Sequence, residues 1–257
     1  MDPSLLNAWE LKAKLHFIKQ EFKQAMDACN EVKDLGPLAE LNKKYSQLKN
    51  DDSIELSHEQ YLGLLKELQG KSLSRQFANL IHAKVFSDLS TEERIVFCKG
   101  ALVIHNLGMN LKHFSFDPKS KHLNVSGNKG LKTILCLQNF PALSADLSGT
   151  KIADFIGFRG QNLRSLNVSN TAIYQLQSLE NKNLQELNIS HTGVRNLSPI
   201  FNWSLRKLNI SHTEVKDIFQ VLHFPLLEEL VIHEGQFSAK DLQQIPSSVK
   251  LIQVKFK

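Results

Sequence analysis

Two stretches in the C-terminal third carry the side chains best suited to chemistry: residues 187–194 are LNISHTGV and residues 208–215 are LNISHTEV. Each sets a serine directly before a histidine, the pair from which a nucleophile and its base are made. The histidines also fall on a column that runs Asn170, His191, His212 and Glu234, with His233 beside the last. Two imidazoles and a carboxylate at such spacing could bind zinc or move a proton. Both readings meet a physical objection. Adjacent residues of a strand point to opposite faces, so Ser190 and His191, or Ser211 and His212, diverge. A column of parallel side chains aims its nitrogens one way, whereas zinc needs ligands that converge as a tetrahedron. No GxSxG, HExxH, P-loop or GxGxxG is present, so neither catalysis nor a cofactor is expected of these residues.

The alternative is that the stretches recur because a structural unit recurs. Aligned on the first apolar residue, ALSADLSGTKI from 142, LRSLNVSNTAI from 163, LQELNISHTGV from 184, LRKLNISHTEV from 205 and LEELVIHEGQF from 227 follow at steps of 21, 21, 21 and 22 residues. A worn copy, SKHLNVSGNKG, begins at 120, and VKLIQV from 249 supplies a last strand. The fourth and sixth positions (Leu166/Val168, Leu187/Ile189, Leu208/Ile210, Leu230/Ile232) are apolar between polar neighbours, the period of a short strand with one buried face. The rest of each unit keeps an apolar residue about every third position, which suits a turn of helix or 3₁₀ on the opposite wall. One unit cannot bury both walls, so neighbouring units must stack.

These residues resemble the leucine-rich-repeat family, LxxLxLxx(N/T)xL, and its short internalin-like class, over 120–257. The resemblance implies an α+β repeat protein: a leucine-rich-repeat solenoid with a parallel concave sheet, capped by an N-terminal helical region and a β-hairpin. The ninth position is Asn128, Thr150, Thr171, Thr192, Thr213 and then Gly235, where the polar ladder is expected to stop.

Before about 110 the pattern becomes helical. Ser57 with Gln60 and Ser90 with Glu93 have capping-box spacing ahead of apolar stripes. Residues 6–39 resemble one tetratricopeptide unit through Trp9, Ala13, His16, Phe22, Ala25, Cys29, Val32 and Pro37, departing from it at Lys12 and Cys29. Such units stack in arrays, so a lone one implies further repeats before residue 1. Around Asp117-Pro118-Lys119-Ser120 the chain alternates apolar and polar residues, the mark of a hairpin. The organisation expected is a helical region, 1–109, whose later helices pack on the solenoid cap, followed by the hairpin-capped solenoid, 110–257.

A net charge of +5 and a pI near 9.0 admit an anionic partner. Yet basic residues alternate with acidic ones and no run of five appears, which argues against nucleic acid. The three cysteines, Cys29, Cys98 and Cys136, fit neither a disulfide framework nor a zinc motif and point to a reduced, cytoplasmic setting. No signal peptide or membrane span is visible. Five Asn-x-Ser sequences open at Asn124, Asn167, Asn188, Asn202 and Asn209; four belong to the repeat itself, where sugars would block the strand face.

The function expected is therefore a non-catalytic module that holds a protein partner on the concave face. The contact columns are Ser165, Glu186, Lys207, Glu229; Asn167, Asn188, Asn209, Val231; and Asn170, His191, His212, Glu234. Leucine-rich and tetratricopeptide repeats together resemble accessory regions of larger signalling proteins, so a catalytic domain such as a Ser/Thr kinase is expected outside these residues. The competing readings are a nucleic-acid or anionic-surface binder and a metal site at His191 and His212.

Overall fold

The structure, a computed structural model, describes residues 12–14, 16–17, 21–32, 35–48, 56–70, 89–107, 109–159 and 161–255. It divides into two compact units, Met1–Ser87 and Asp88–Lys257.

The described part of the first unit is helical at 12–14 and 16–17 and includes α1 (Phe22–Asn30), α2 (Gly36–Leu48) and α3 (His58–Gly70). The apolar stripe of α1 buries Phe22, Ala25, Ala28 and Cys29, and Phe22 lies against Phe17 and Tyr45 with ring centroids 5.7 and 5.8 Å away. Asn42 of α2, fully buried, donates through Nδ2 to Cys29 Sγ at 3.6 Å. Glu67 of α3 ties that helix to α2, accepting from the Tyr45 hydroxyl at 3.1 Å and pairing with Lys44 at 2.6 Å. Burial, then the Glu67 carboxylate, pushes the Tyr45 hydroxyl well above the usual phenol range. The Ser57–Gln60 box forms as expected, with Gln60 N–H donating to Ser57 Oγ at 3.3 Å and Ser57 N–H to Gln60 Oε1 at 2.8 Å. Trp9, one of the residues carrying the tetratricopeptide resemblance, lies outside the described residues, and a packed helix pair alone does not distinguish that unit from others.

In the second unit α4 (Thr91–His105) begins on the full Ser90–Glu93 capping box. It buries Phe97, Cys98, Ala101 and Leu102, and Cys98 Sγ donates to the Cys136 carbonyl at 3.3 Å on the first turn of the solenoid's back wall. Asn106 follows the helix and is 5% exposed. Its Nδ2 donates to Leu102 O (2.8 Å) and Thr133 O (2.9 Å), while Oδ1 accepts from Lys132 N (2.7 Å) and Thr133 N (2.9 Å). One carboxamide thus ends the helix and fastens it to the loop before the first back-wall turn.

The sheet has eight strands in chain order: β1 (Ser115–Asp117), β2 (His122–Asn124), β3 (Ser144–Asp146), β4 (Ser165–Asn167), β5 (Glu186–Asn188), β6 (Lys207–Asn209), β7 (Glu229–His233) and β8 (Lys250–Val254). β1 and β2 are antiparallel, the expected hairpin, and its turn is set by Asp117, which accepts from Lys119 N at 3.0 Å and Ser120 Oγ at 2.6 Å. Every later pair is parallel, joining Leu166 to Leu187 and Leu187 to Leu208 as the repeat step requires. Leu187, Ile189, Leu208 and Ile210 are at most 2% exposed. The return segments carry 3₁₀ turns at Leu135–Leu137, Ile156–Phe158, Ser198–Ile200 and Ile218–His223, and Phe155, Phe158, Leu176, Leu179, Leu197 and Ile200 fill the interior. Consecutive coils pack so closely that a Cβ on Gly157 would lie 2.0 Å from the Ile134 carbonyl oxygen, so that turn admits only glycine. The architecture is a leucine-rich-repeat solenoid.

Candidate functional site

The third-position residues lie side by side on the sheet, because parallel register holds each strand one repeat from the next. Along this column His122 hydrogen-bonds Ser144 through Nδ1 at 2.8 Å, Ser165 Oγ donates to Glu186 at 3.2 Å, Lys207 pairs with Glu186 at 2.8 Å, and Lys250 pairs with Glu229 at 3.0 Å. The Lys207 ammonium, against some opposing burial, holds the Glu186 carboxyl below its ordinary range. The expected column Ser165, Glu186, Lys207, Glu229 is thus assembled, and its charges alternate and answer one another.

The fifth position is less free than the sequence suggests. Asn124, Asp146, Asn167, Asn188 and Asn209 each accept, through Oδ1, the backbone N–H two residues on, at 2.9 to 3.1 Å. These Asx turns start the bend that leaves the strand. Asparagine recurs here as a turn former, and the acceptor end of each carboxamide is already engaged; Val231 breaks the column on β7.

At the ninth position the hydroxyls of Thr150, Thr171, Thr192 and Thr213 donate to the carbonyl three residues back at 2.6 to 2.7 Å. The ladder does not stop at Gly235. A one-residue insertion passes the role to Gln236, whose Nε2 reaches the Ile210 carbonyl at 3.0 Å and whose Oε1 accepts from His233 N at 3.1 Å.

The eighth position explains the recurring histidine. It lies in the turn just beyond the strand, with positive φ in five successive coils: Gly127 (70°), Gly149 (68°), Asn170 (54°), His191 (55°) and His212 (56°). Left-handed backbone favours Gly and Asn and tolerates His better than most side chains. The expected column is corrected at its end. His233, not Glu234, stacks on His212, because β7 runs on to His233 and the turn, with its positive φ on Gly235, follows at Glu234 and Gly235. Ring centroids of His191 and His212 are 4.2 Å apart and those of His212 and His233 4.8 Å, with planes 12° from parallel in both cases. The sequence held this signal, since 212 to 233 repeats the interval from 191 to 212.

Chemically the arrangement can present ordered side chains and can take up protons. Face-to-face imidazoles direct their nitrogens outward from the stack edge, and among the described residues no group of three or more His, Cys, Asp or Glu is placed to hold a metal. Ser190 and Ser211 are buried at 6% and 3% exposure while His191 is exposed, so each Ser-His pair points apart. Basic side chains face carboxylates across coils: Arg195 with Glu214 at 2.6 Å, Arg159 with Glu180 at 3.9 Å, and Arg206 with Glu228. Trp203 is 6% exposed and belongs to the packed back wall. No helix among the described residues is long and apolar enough to cross a membrane.

No family model matches the chain, and no curated protein does. Among solved structures it is similar to an internalin (inlF) of Listeria monocytogenes, at 19% identity over 54% of this chain and 48% of that one, with a TM-score of 0.41. It is also similar to internalin C2 of the same organism, at 16% identity over 53% of this chain and 74% of that one, again with a TM-score of 0.41. The match to the first spans about half of that protein's length.

Proposed function

We propose that the solvent face of the sheet is a recognition surface for a protein partner, and that this chain is a non-catalytic regulatory or targeting segment of a larger signalling protein. One observation carries the reading: the side chains on that face are ordered before any partner arrives. The Asn167, Asn188 and Asn209 carboxamides are anchored by their own turns, and Ser165, Glu186, Lys207, Glu229 and Lys250 are linked across strands. A surface that loses little side-chain freedom on contact spends less of its interaction energy on ordering. The exposed ends of the eighth-position column, Asn170, His191 and His212, continue the surface at the strand ends. An anionic partner would instead need basic residues free to converge, and Arg195, Arg206, Lys207 and Lys250 each face a carboxylate. Three free, buried cysteines support a reducing, cytoplasmic setting.

The test exchanges the central pair, Glu186→Lys with Lys207→Glu, in the full chain. The exchange keeps the attraction within the pair and reverses the order of its charges seen from outside, while setting a carboxylate at 207 opposite Glu229. A partner captured from the native source by the parent chain should be lost by the exchanged one, with the circular dichroism of the two unchanged. Equal capture by both would remove the sheet face from consideration.

A further inference from the structure

The last rung of the turn ladder is closed by a titratable group. In four successive coils the eighth residue's N–H donates to a carbonyl of the next coil: Gly127 to Ser148 (2.7 Å), Gly149 to Ser169 (2.9 Å), Asn170 to Ser190 (2.9 Å) and His191 to Ser211 (3.0 Å). His212 breaks the series, donating its N–H to Nδ1 of the His233 ring at 2.9 Å. A carbonyl accepts at every pH, whereas an imidazole nitrogen accepts only while it carries no proton. The hydrogen bond therefore fixes His233 as the neutral form with its proton on Nε2. That ring is also the inner end of the three-imidazole stack, at 9% exposure.

We propose that the His191–His212–His233 stack is a proton-operated latch on the C-terminal coil: neutral His233 closes the ladder, and protonated His233 sets N–H against N–H and releases it. Burial, then the charges of His212, Lys216 and His191, lower the affinity of His233 for a proton, with a hydrogen bond to Gln236 opposing in part. Lys216 comes from the coil before; on its own strand Glu234 follows it and is exposed; across on β8 it is paired with Val254. The charges of His212, Lys216 and His191 all oppose a proton on the ring. The folded pKa thus lies below the ordinary imidazole value of about 6.5. The latch is closed above that pH, and its contribution is lost as the pH falls through the folded value. Release frees the segment that holds β8, because His233 is both latch and ladder partner of Val254.

Hydrogen exchange of the full chain, resolved by peptide and corrected for intrinsic rates, tests this between pH 7.5 and pH 5. Protection in 210–216 and 229–254 should fall by up to about tenfold per pH unit as the pH drops from about 6.5 toward the folded pKa, the slope of a one-proton linkage, and level off below it, while 163–190 stays protected. His233→Asn, which keeps an acceptor that does not titrate, should abolish that selective loss. The same loss in His233→Asn, or uniform loss across all coils in the parent chain, overturns the latch. Should the variant not fold, nitrogen shifts of the parent's histidines decide: the latch requires His233 as the Nε2–H tautomer titrating below 6.5, and a value at or above that ends it.

Discussion

The claim that His191 recurs for the sake of backbone geometry can be tested by replacing it with glycine and with valine. Its φ of +55° costs an ordinary L-residue roughly 1–2 kcal/mol, a cost that glycine escapes. Glycine loses roughly 0.5–1 kcal/mol to its greater freedom when unfolded. Removing the ring from the stack on His212 forfeits about 0.5–1.5 kcal/mol by analogy with other aromatic pairs. These contributions nearly cancel, so His191→Gly should stay within about 1 kcal/mol of the parent. Valine loses the same stack, keeps the Cβ conflict and adds a branch against a left-handed backbone, which places it about 2–3 kcal/mol below the parent. For a protein of this size about 1 kcal/mol moves a melting temperature by roughly 2–4 °C. Thermal melting with exchange of peptides from 184–213 should order the chains as parent and glycine together, valine several degrees lower. A valine variant as stable as the glycine variant would refute the geometric account and return the histidines to the list of residues kept for chemistry.

Three further outcomes follow from contacts already described. Gly157→Ala drives a Cβ to 2.0 Å from the Ile134 carbonyl oxygen and should cost at least about 1–3 kcal/mol, seen as lost exchange protection in 131–158. Asn106→Leu strands the Thr133 carbonyl and the Lys132 and Thr133 N–H groups, while Leu102 O keeps the backbone N–H of residue 106; at about 1 kcal/mol each, with water reaching some of them, α4 should loosen by about 1–3 kcal/mol in urea unfolding. Burial lowers the pKa of His105, in the last turn of α4, to about 4. Its contribution is full above about pH 6.5 and lost as the pH falls through that lower value, so His105→Asn should flatten the acid limb of α4 stability, and an unchanged limb would refute this account.

The parts of the fold legible in the sequence are those that every coil must repeat. Leu187 and Leu208 declare the strand and its buried face because a two-residue period has one solution once a 21-residue step fixes the register. The Asp117 turn and the Ser90–Glu93 box were legible because each is local, its partners within three residues. What escaped notice depends on neighbours distant in the chain or on a dihedral angle. The eighth position reads as a surface strand residue until its column is seen to run Gly, Gly, Asn, His, His, the order of residues that enter left-handed backbone with least cost. The four Asn-x-Ser sequences of the repeat likewise spell turn formers whose Oδ1 is occupied. At the last coil β7 runs on to His233, so the stacking ring is His233, the positive φ falls on Gly235 and the ladder carboxamide is Gln236, and a position-by-position alignment carries such a shift unnoticed.

The two ends of the solenoid show why the ladder changes chemistry where the repeat gives out. Inside the stack, each ninth-position threonine needs only one donor for the carbonyl three residues back, because the remaining groups are met by the identical path of the next coil. At the first coil the neighbour is the segment before the hairpin, which offers two N–H groups and a carbonyl; Asn128 meets them with both ends of its carboxamide, while its Nδ2 also serves Val125 O. At the last coil the path is lengthened, and Gln236 supplies the same two-sided chemistry with one more methylene of reach. A hydroxyl in either place would leave buried backbone groups unpaired, at about 1–3 kcal/mol for each. Asn128→Thr and Gln236→Thr should therefore destabilise the chain although both restore the residue type of the interior coils. If instead either substitution were neutral, the carboxamides would not be what terminates the stack.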